Sequence, residues 1–266
     1  MKKTLFAGVA VLACLVAVSG SLSAQTAADR IRQGDEYYAQ FNDEKALEEY
    51  LAAAQAEPEN YEALWKTARA YFDLGDLMEP KEESAKEKQR QLFTESLGYA
   101  RKAVRANSND TWGHFFVSAA QGKYVLTRSK KEQVNASKAI KASIEKAIAL
   151  DPNNDLAYHA LGIWHRTMAE IGGAQRFLGG IIYGSIPKGT NEESEKNLQK
   201  AITIKPDYTN HHLELGRTYL AMKKYDLAKQ EFQKTLELSN ITSKCESHKK
   251  EAQAELDALK ATEKEK

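Results

Sequence analysis

Apolar residues recur three or four positions apart along most of the chain, and polar residues fill the positions between them. This period places the apolar side chains on one face of a helix, so it predicts a series of amphipathic helices. No segment alternates β-branched and polar residues in the manner of a strand, and only 5 prolines interrupt the 266 residues. The pattern therefore predicts an all-α fold, and a hydrophobic content of 42% is enough to bury a core.

The predicted helices come in pairs in which small, aromatic and proline residues recur at fixed positions. Counted from Ala27, the first pair has them at Gly34, Tyr37, Ala46, Tyr50, Ala53 and Pro58. Small residues let two antiparallel helices approach closely, aromatic residues fill the space between pairs, and the proline ends the second helix. This is the pattern of the tetratricopeptide repeat, a helix hairpin of about 34 residues.

Further copies of this hairpin follow the first, which predicts an α-solenoid of about five hairpins over residues 25–242. The predicted repeats lie near residues 27–60, 61–110, 111–154, 155–208 and 209–240, and the middle copies contain insertions. A polar amphipathic stretch in residues 243–266 predicts a capping helix and a charged tail, because a solenoid needs a helix that shields its last apolar face.

A glycine-rich, apolar insert at residues 172–189 separates the two helices of the fourth repeat. Its glycines disfavour a regular helix, while its apolar side chains are too numerous for an exposed loop. We expect the insert to pack across the groove or against a neighbouring repeat as a lid. The candidate residues are Arg176, Phe177, Leu178, Ile181, Ile182 and Tyr183. After the insert, Thr190 and Glu193 form a capping-box pair that predicts a helix from Asn191.

Residues 1–24 have the pattern of an export signal rather than that of a folded element. Two lysines precede an apolar run at residues 5–18, and small residues follow up to Ala24. This arrangement predicts cleavage after Ala24 and a periplasmic or secreted protein. Two alternatives remain open, namely lipid attachment at Cys14 and an uncleaved N-terminal anchor.

Several segments of the chain resemble the regulator of microtubule dynamics family. They are, in order, LWKTARAYFD, ESLGYARKAV, IEKAIALDPNN and LGIWHRTMAEI, with LGRTYL in the last repeat. The insert is similar too, with Gln175 and Arg176 before an apolar stretch and Pro187 before the next helix. The likeness covers roughly Tyr61 to Leu238. It implies the repeat fold and adaptor or membrane-contact roles, including phospholipid binding. A protein exported from a bacterial cell meets no microtubules, so the family name does not supply a function.

Composition and motifs argue against several classes of function. The 38 basic and 37 acidic residues nearly balance, whereas a nucleic-acid-binding protein normally has a basic excess. Metalloprotease, serine-hydrolase and phosphate-loop motifs are missing. If Cys14 is removed with the signal peptide, Cys245 is the one cysteine left, and it cannot by itself form an internal disulfide or a thiolate metal site. His211 and His212 point in different directions on a helix, as do His159 and His165, so we interpret them as surface or satisfied core histidines. The sequence thus predicts a protein that is not an enzyme and that binds neither a metal nor a cofactor.

In this repeat class the first helix of each hairpin lines a concave groove. The predicted groove residues place aromatic side chains beside arginines: Trp65, Arg69, Phe72, Trp112, Phe115, His159, Ile163, Arg166, Leu213 and Arg217. Aromatic residues and arginine are enriched at interface hot spots, which favours a protein or peptide partner. We expect Arg217 to contact an anionic group of the ligand, because Ala221 stands four residues on, where an acidic partner would lie. A second interpretation is that the aromatic residues fill the core between hairpins.

Three functions therefore remain open. The first is a scaffold that binds a protein or peptide in the groove. The second is a phospholipid-binding protein that uses the 172–189 insert as a lid or membrane contact, with an uncleaved or lipidated N-terminus as another route to the membrane. The third is an enzyme of unrecognised type.

Overall fold

The computed structural model describes residues 25–183 and 185–264, so the predicted signal peptide at residues 1–24 lies outside the described residues. The described residues form twelve helices and no strand, which confirms the all-α prediction. The helices are α1 (Ala27–Ala39), α2 (Asp43–Ala56), α3 (Tyr61–Asp76), α4 (Glu83–Ala106), α5 (Thr111–Val125), α6 (Lys130–Leu150), α7 (Asp155–Ala169), α8 (Gly173–Tyr183), α9 (Asn191–Ile204), α10 (Thr209–Ala221), α11 (Tyr225–Glu237) and α12 (Cys245–Lys264).

Helices that are near in sequence pack as hairpins, in the pairs α1–α2, α3–α4, α5–α6, α7–α9 and α10–α11, with α8 between the two helices of the fourth pair. A glycine on the first helix of a pair permits the close approach. A Cβ added at Gly34 would lie 2.5 Å from the Tyr50 ring, and one added at Gly162 would lie 2.6 Å from Cγ of Leu198. Added side chains at these positions would have no space, because protein interiors are close-packed.

Local signals in the sequence set the helix ends. The side chains of Asn60, Asn154 and Thr190 each accept a hydrogen bond from a backbone N–H in the first turn of the helix that follows. Such caps satisfy donors that have no partner within the helix. Helix α9 begins at Asn191, as the capping pair predicts. Pro58, which the repeat pattern places after a second helix, follows the end of α2, and Pro152 and Pro206 follow α6 and α9 in the same way.

The 172–189 insert differs from the sequence prediction, because its first part is a regular helix, α8. Arg176 explains how a glycine-rich segment keeps this shape. Its guanidinium donates to the carbonyl oxygens of Met168 at 2.5 Å, Ile171 at 3.2 Å and Ile186 at 3.3 Å. These bonds tie both ends of α8 to the chain around it and offset the cost of glycine, about 1 kcal/mol per residue in a helix interior.

The expected burial of the insert is wrong for two residues, because the side chains of Leu178 and Ile181 are 59% and 69% exposed. The side chains of Phe177, Ile182 and Tyr183 lie outside the described residues. Among the described residues, α8 packs against α6 of the preceding hairpin and, apart from the bond of Arg176 to Met168 at the end of α7, contacts none of the first helices, so it lies against a neighbouring repeat rather than across the groove. Its 11 residues belong to no membrane span, since no helix in the described part of the chain has the length and apolar character to cross a membrane.

The C-terminal segment closes the fold. Helix α12 packs against α10 and α11, and its Ala252 and Leu256 join their buried cluster. The irregular segment 238–244 that leads into α12 reaches back to the first two hairpins. There Ser243 donates to Asp43, and the Nζ atom of Lys244 lies 3.1 Å from Asp76. The two ends of the solenoid are therefore joined through side chains.

We expect Gly162→Leu to lower the free energy of unfolding by about 1–3 kcal/mol or more, because the added side chain would clash with Leu198. The matched control is Gly98→Leu on the exposed side of α4, where an added Cβ meets nothing within 4 Å. That change should stabilise the chain slightly, since leucine favours a helix over glycine. Urea unfolding measures both variants, and equal effects would contradict the helix crossing described here.

Candidate functional site

The first helices of the hairpins form the inner layer of the solenoid. Contacts run in order from α1 to α3, α3 to α5, α5 to α7 and α7 to α10. This is the layer that the sequence predicts as a groove. Of the predicted residues, Phe115, His159 and Leu213 are buried, and the others are half-buried: Trp65, Arg69, Phe72, Trp112, Ile163, Arg166 and Arg217. Leu213 belongs to the core rather than to a binding face, since only 1% of it is exposed.

Aromatic rings from α3 and α5 stack along the inner layer. The rings of Trp65 and Trp112 lie 5.2 Å apart at 18°, and Trp65 also stacks on Phe116 at 6.3 Å. Phe115 meets Phe116 edge-on at 4.9 Å. The core interpretation therefore fits Phe115, while Trp65 and Trp112 fill the space between hairpins and still keep part of their surface open.

Lys244 occupies the inner face beside these rings, and sequence reasoning missed it. Its Nζ atom lies 3.2 Å from Asp73 and 3.1 Å from Asp76, and 5.2 Å from the centroid of Phe72. Only 8% of Lys244 is exposed. Burial by itself disfavours the charge, but Tyr208 and the two carboxylates hold the pKa of Lys244 well above its usual value.

The carboxylates around Lys244 are tied to other helices as well. Tyr38 on α1 donates its hydroxyl to Asp73 at 3.2 Å, and Lys123 on α5 donates to Asp76. Burial works against the charge on Asp76, yet Lys244 and Lys123 together bring the pKa of Asp76 well below its usual range. Helices α1, α3 and α5 thus meet the segment before α12 at one ionic cluster on the inner face.

The expectation that Arg217 is available to a ligand is wrong, because three carboxylates of the chain itself surround it. Its guanidinium lies 2.8 Å from Glu214, 2.9 Å from Glu251 and 3.1 Å from Glu255. Glu214 stands three residues before Arg217, a spacing at which helix side chains meet, so the sequence held that signal. The other two carboxylates come from α12 and could be placed there only by the fold.

Arg166 and Arg69 are also engaged within the chain. Arg166 donates to the carbonyl oxygen of Glu214 at 2.8 Å and pairs with its carboxylate. Arg69 lies over the Tyr38 ring at 3.7 Å and donates to the hydroxyl of Tyr50 at 2.9 Å. The row of arginines is therefore a set of structural ties across hairpins, not a free anion-binding wall.

His159, His211 and His212 are satisfied within the core, as the sequence analysis predicts, whereas the buried Nδ1 atom of His165 has no hydrogen-bond partner among the described residues. His211 lies between His159, at 3.0 Å between the Nδ1 atoms, and Asp155, at 2.9 Å. His212 points elsewhere, to Glu231 at 2.7 Å. Burial lowers the pKa of both His159 and His211. In residues 25–183 and 185–264, no group of three or more potential ligand side chains could hold a metal ion.

The fold matches solved structures of one class. A tetratricopeptide-repeat protein of Thermus thermophilus, TTC0263, superimposes with a TM-score of 0.62 over 86% of this chain and 100% of that one, at 18% identity. The paired helices, the small residues at their crossings and this match define a tetratricopeptide-repeat α-solenoid.

The sequence comparisons narrow the class to one family. The family model described as regulator of microtubule dynamics protein 1-3 matches residues 30–260. Regulator of microtubule dynamics protein 1 of Mus musculus is 30% identical over 199 residues, which are 74% of this chain and 63% of that protein. The Bos taurus protein of that name is 31% identical, over 74% of this chain and 61% of its own length. The chain belongs to this family and spans about three fifths of the length of these relatives.

Removing Arg166 should cost more stability than removing Arg217, because Arg166 is the more buried of the two arginines that pair with Glu214. Arginine pairing brings the pKa of Glu214 to about 2 despite its burial. Losing one partner of a buried ion pair costs about 3–5 kcal/mol, so we expect Arg166→Gln to fall near that range. We expect about 1 kcal/mol for the more exposed Arg217→Gln. Urea denaturation tests the order, and an unchanged stability in both variants would contradict these ties.

His248 should make the fold sensitive to mild acid. Burial lowers the pKa of this imidazole from 6.5 to about 4, and its Nδ1 atom lies 2.9 Å from the Thr209 hydroxyl. Between these two pH values His248 is protonated in the unfolded chain and neutral in the folded chain. The free energy of unfolding therefore falls as the pH drops from about 6.5 towards 4. Melting curves at pH about 7.5 and 5 should show a loss of about 1–3 kcal/mol, and His248→Gln should reduce this loss. His114→Gln, at an exposed hydrogen bond to Ser108, is the control that should leave it unchanged.

Proposed function

We propose that this chain is a non-catalytic scaffold that binds a segment of a partner protein along the inner face of its repeats. The observation that carries the proposal is that this face already binds a chain segment. Residues 238–244 are irregular, and their last residue inserts its side chain among Asp73, Asp76 and Phe72. A surface that accepts an irregular segment through side-chain contacts has the properties of a peptide-binding face.

The half-buried aromatic residues support the same proposal. Trp65 and Trp112 are rigid, large and stacked on each other, so they lose little conformational freedom when a ligand packs on them. Such side chains, next to charged groups, are frequent at binding hot spots. The ionic and histidine contacts described above serve to join helices, which agrees with a role in assembly rather than in chemistry.

We assign the five helix pairs as five repeats over residues 25–242 and α12 as the helix that caps the last of them. The packing of α12 on α10 and α11 supports the capping role. The sequence pattern of residues 1–24 supports export to the periplasm or beyond the cell.

A second candidate function, contact with a lipid or membrane, is favoured by one observation on α8. This helix exposes Leu178 and Ile181, and Arg176, its one charged residue, is occupied by backbone carbonyls. Exposed apolar residues on a surface helix are a feature of membrane-contacting segments. Native mass spectrometry of the purified chain separates the candidates, because a co-purifying phospholipid would support the second one.

An array of short peptides of varied charge tests the scaffold proposal directly. We expect the full chain to bind a subset of them, and Trp65→Leu or Trp112→Leu to weaken binding at least about tenfold, equivalent to about 1.4 kcal/mol. The control is Leu227→Ala, which removes exposed apolar surface from α11 outside the inner layer. If the tryptophan variants fold and bind every peptide as the wild type does, the inner face is not the binding site.

A further inference from the structure

Three carboxylates converge where the irregular segment before α12 meets the inner face. Asp73 and Asp76 come from α3, and Asp43 comes from the first turn of α2. We call these residues the acidic cluster. Asp43 and Asp73 are 2% and 6% exposed, so their charges are largely removed from water. Buried carboxylates require cations or several hydrogen-bond donors nearby.

Two lysines contact the acidic cluster, and they pair with only two of its three carboxylates. Among the described residues, Asp43 has no ion pair. Lys244 contacts Asp73 and Asp76, and Lys123 contacts Asp76. Asp43 receives the neutral hydroxyl of Ser243 instead. Three carboxylates are thus matched by two ammonium groups.

Asp43 shows the mismatch in its own geometry. Its Oδ2 atom accepts from Ser243, but its Oδ1 atom is buried and has no hydrogen-bond partner in the part of the chain that the structure describes. An aspartate in the first turn of a helix ordinarily stabilises the helix from an exposed position. Asp43 is instead covered by the C-terminal segment, whose Ser243 gives it a neutral hydrogen-bond donor and no positive charge.

We propose that the acidic cluster is a recognition site for two adjacent basic residues in the bound segment of a partner protein. Ser243 and Lys244 occupy this site from within the chain as an incomplete substitute for such a pair. In the partner, a lysine takes the place of Lys244 between Asp73 and Asp76, and the basic residue before it donates to Asp43. The inference rests on the scaffold function proposed above and names the ligand class that the same face selects.

We expect residues 238–244, the internal segment, to be able to leave the site while α12 stays packed on the repeats. The helix is held farther along by Ala252 and Leu256 and by the ion pairs of Arg217 with Glu251 and Glu255. Residues 238–244 are irregular, and their bonds to α12 involve only its first turn, where the N–H groups of Cys245 and His248 donate to the carbonyl oxygens of Thr242 and Lys244. Because the segment is tethered, it competes at a high effective concentration, and a ligand binds only in the fraction of time that the site is open. A ligand that also satisfies Asp43 has an advantage over the internal segment.

Fluorescence anisotropy with three labelled peptides tests this inference. The peptides are Asn-Ile-Thr-Lys-Lys-Ser-Glu, the same sequence with Ser-Lys in place of Lys-Lys, and the same with Gln-Gln. The protein is the full chain, as wild type and as Lys244→Met, which removes the ammonium group from Asp73 and Asp76 and keeps the apolar part of the side chain. We expect Lys244→Met to bind the Lys-Lys peptide at least about tenfold more tightly than the wild type does. Lys250→Met, at an exposed position of α12, is the matched control and should behave as wild type.

The order of the peptides identifies the role of Asp43. We expect Lys-Lys to bind more tightly than Ser-Lys, and Gln-Gln to bind least. In the Lys244→Met background, Asp43→Asn should remove the preference for Lys-Lys over Ser-Lys and leave Ser-Lys binding in place. Added salt should weaken the binding of the Lys-Lys peptide more than that of the other two. Its advantage over the Ser-Lys peptide comes from a second positive charge, and salt screens charges.

A separate variant keeps the inference testable if Lys244→Met does not fold. Ser243→Lys places a second ammonium next to Asp43 within the chain, so it should raise the melting temperature and weaken Lys-Lys peptide binding relative to wild type. Ala254→Lys adds the same charge at an exposed position of α12 and serves as its control. Equal melting temperatures and equal peptide binding in the two lysine variants would overturn the inference.

The remaining outcomes separate this inference from the scaffold function. If Lys244→Met binds Gln-Gln as tightly as Lys-Lys, or binds only array peptides that lack basic pairs, the basic-pair site is wrong and the scaffold function stands. If neither the array nor the three peptides show any binding, the scaffold function fails and this inference fails with it.

Discussion

The buried ion pairs of Lys244 with Asp73 and Asp76 are the contact on which the closed form of this solenoid depends. Hairpins of this class contact mainly their neighbours, so an array of them is stabilised step by step along the chain. The contact of Lys244 with Asp76 instead joins residues 168 positions apart. A buried ammonium is tolerated only while its carboxylates are in place. The segment before α12, the second hairpin and α5 are therefore coupled through one cluster of charges.

This closure changes what the inner face can do. In an open groove, the arginines at the predicted positions would be available to a ligand, but here α12 supplies Glu251 and Glu255 to Arg217. The charges that remain unbalanced are negative and lie at the acidic cluster, around Asp43. The partner segment that we propose would therefore displace the part of the chain that already lies there, and electrostatic complementarity favours a basic segment.

Membership of the regulator of microtubule dynamics family agrees with the repeat fold. It does not identify a ligand, because a fold does not by itself define a function. The relatives in mouse and cattle are longer than the part that this chain matches. Helix α8 is the other feature that goes beyond a plain repeat array. It exists because Arg176 binds the carbonyls on both sides of it, and it presents Leu178 and Ile181 to solvent instead of covering the groove.

The sequence by itself determined the hairpins, because the signals that specify them are local. Gly162 at a helix crossing, the capping pair before α9 and Pro206 after it act over a few residues, and all could be identified before the structure. The helical state of α8 could not, since it depends on Arg176 reaching carbonyls before and after the insert. The partners of Arg217 and Lys244 were decided only by the tertiary structure. Most of their carboxylates are distant in sequence, and the superhelical path of the repeats, which no local pattern encodes, brings them together.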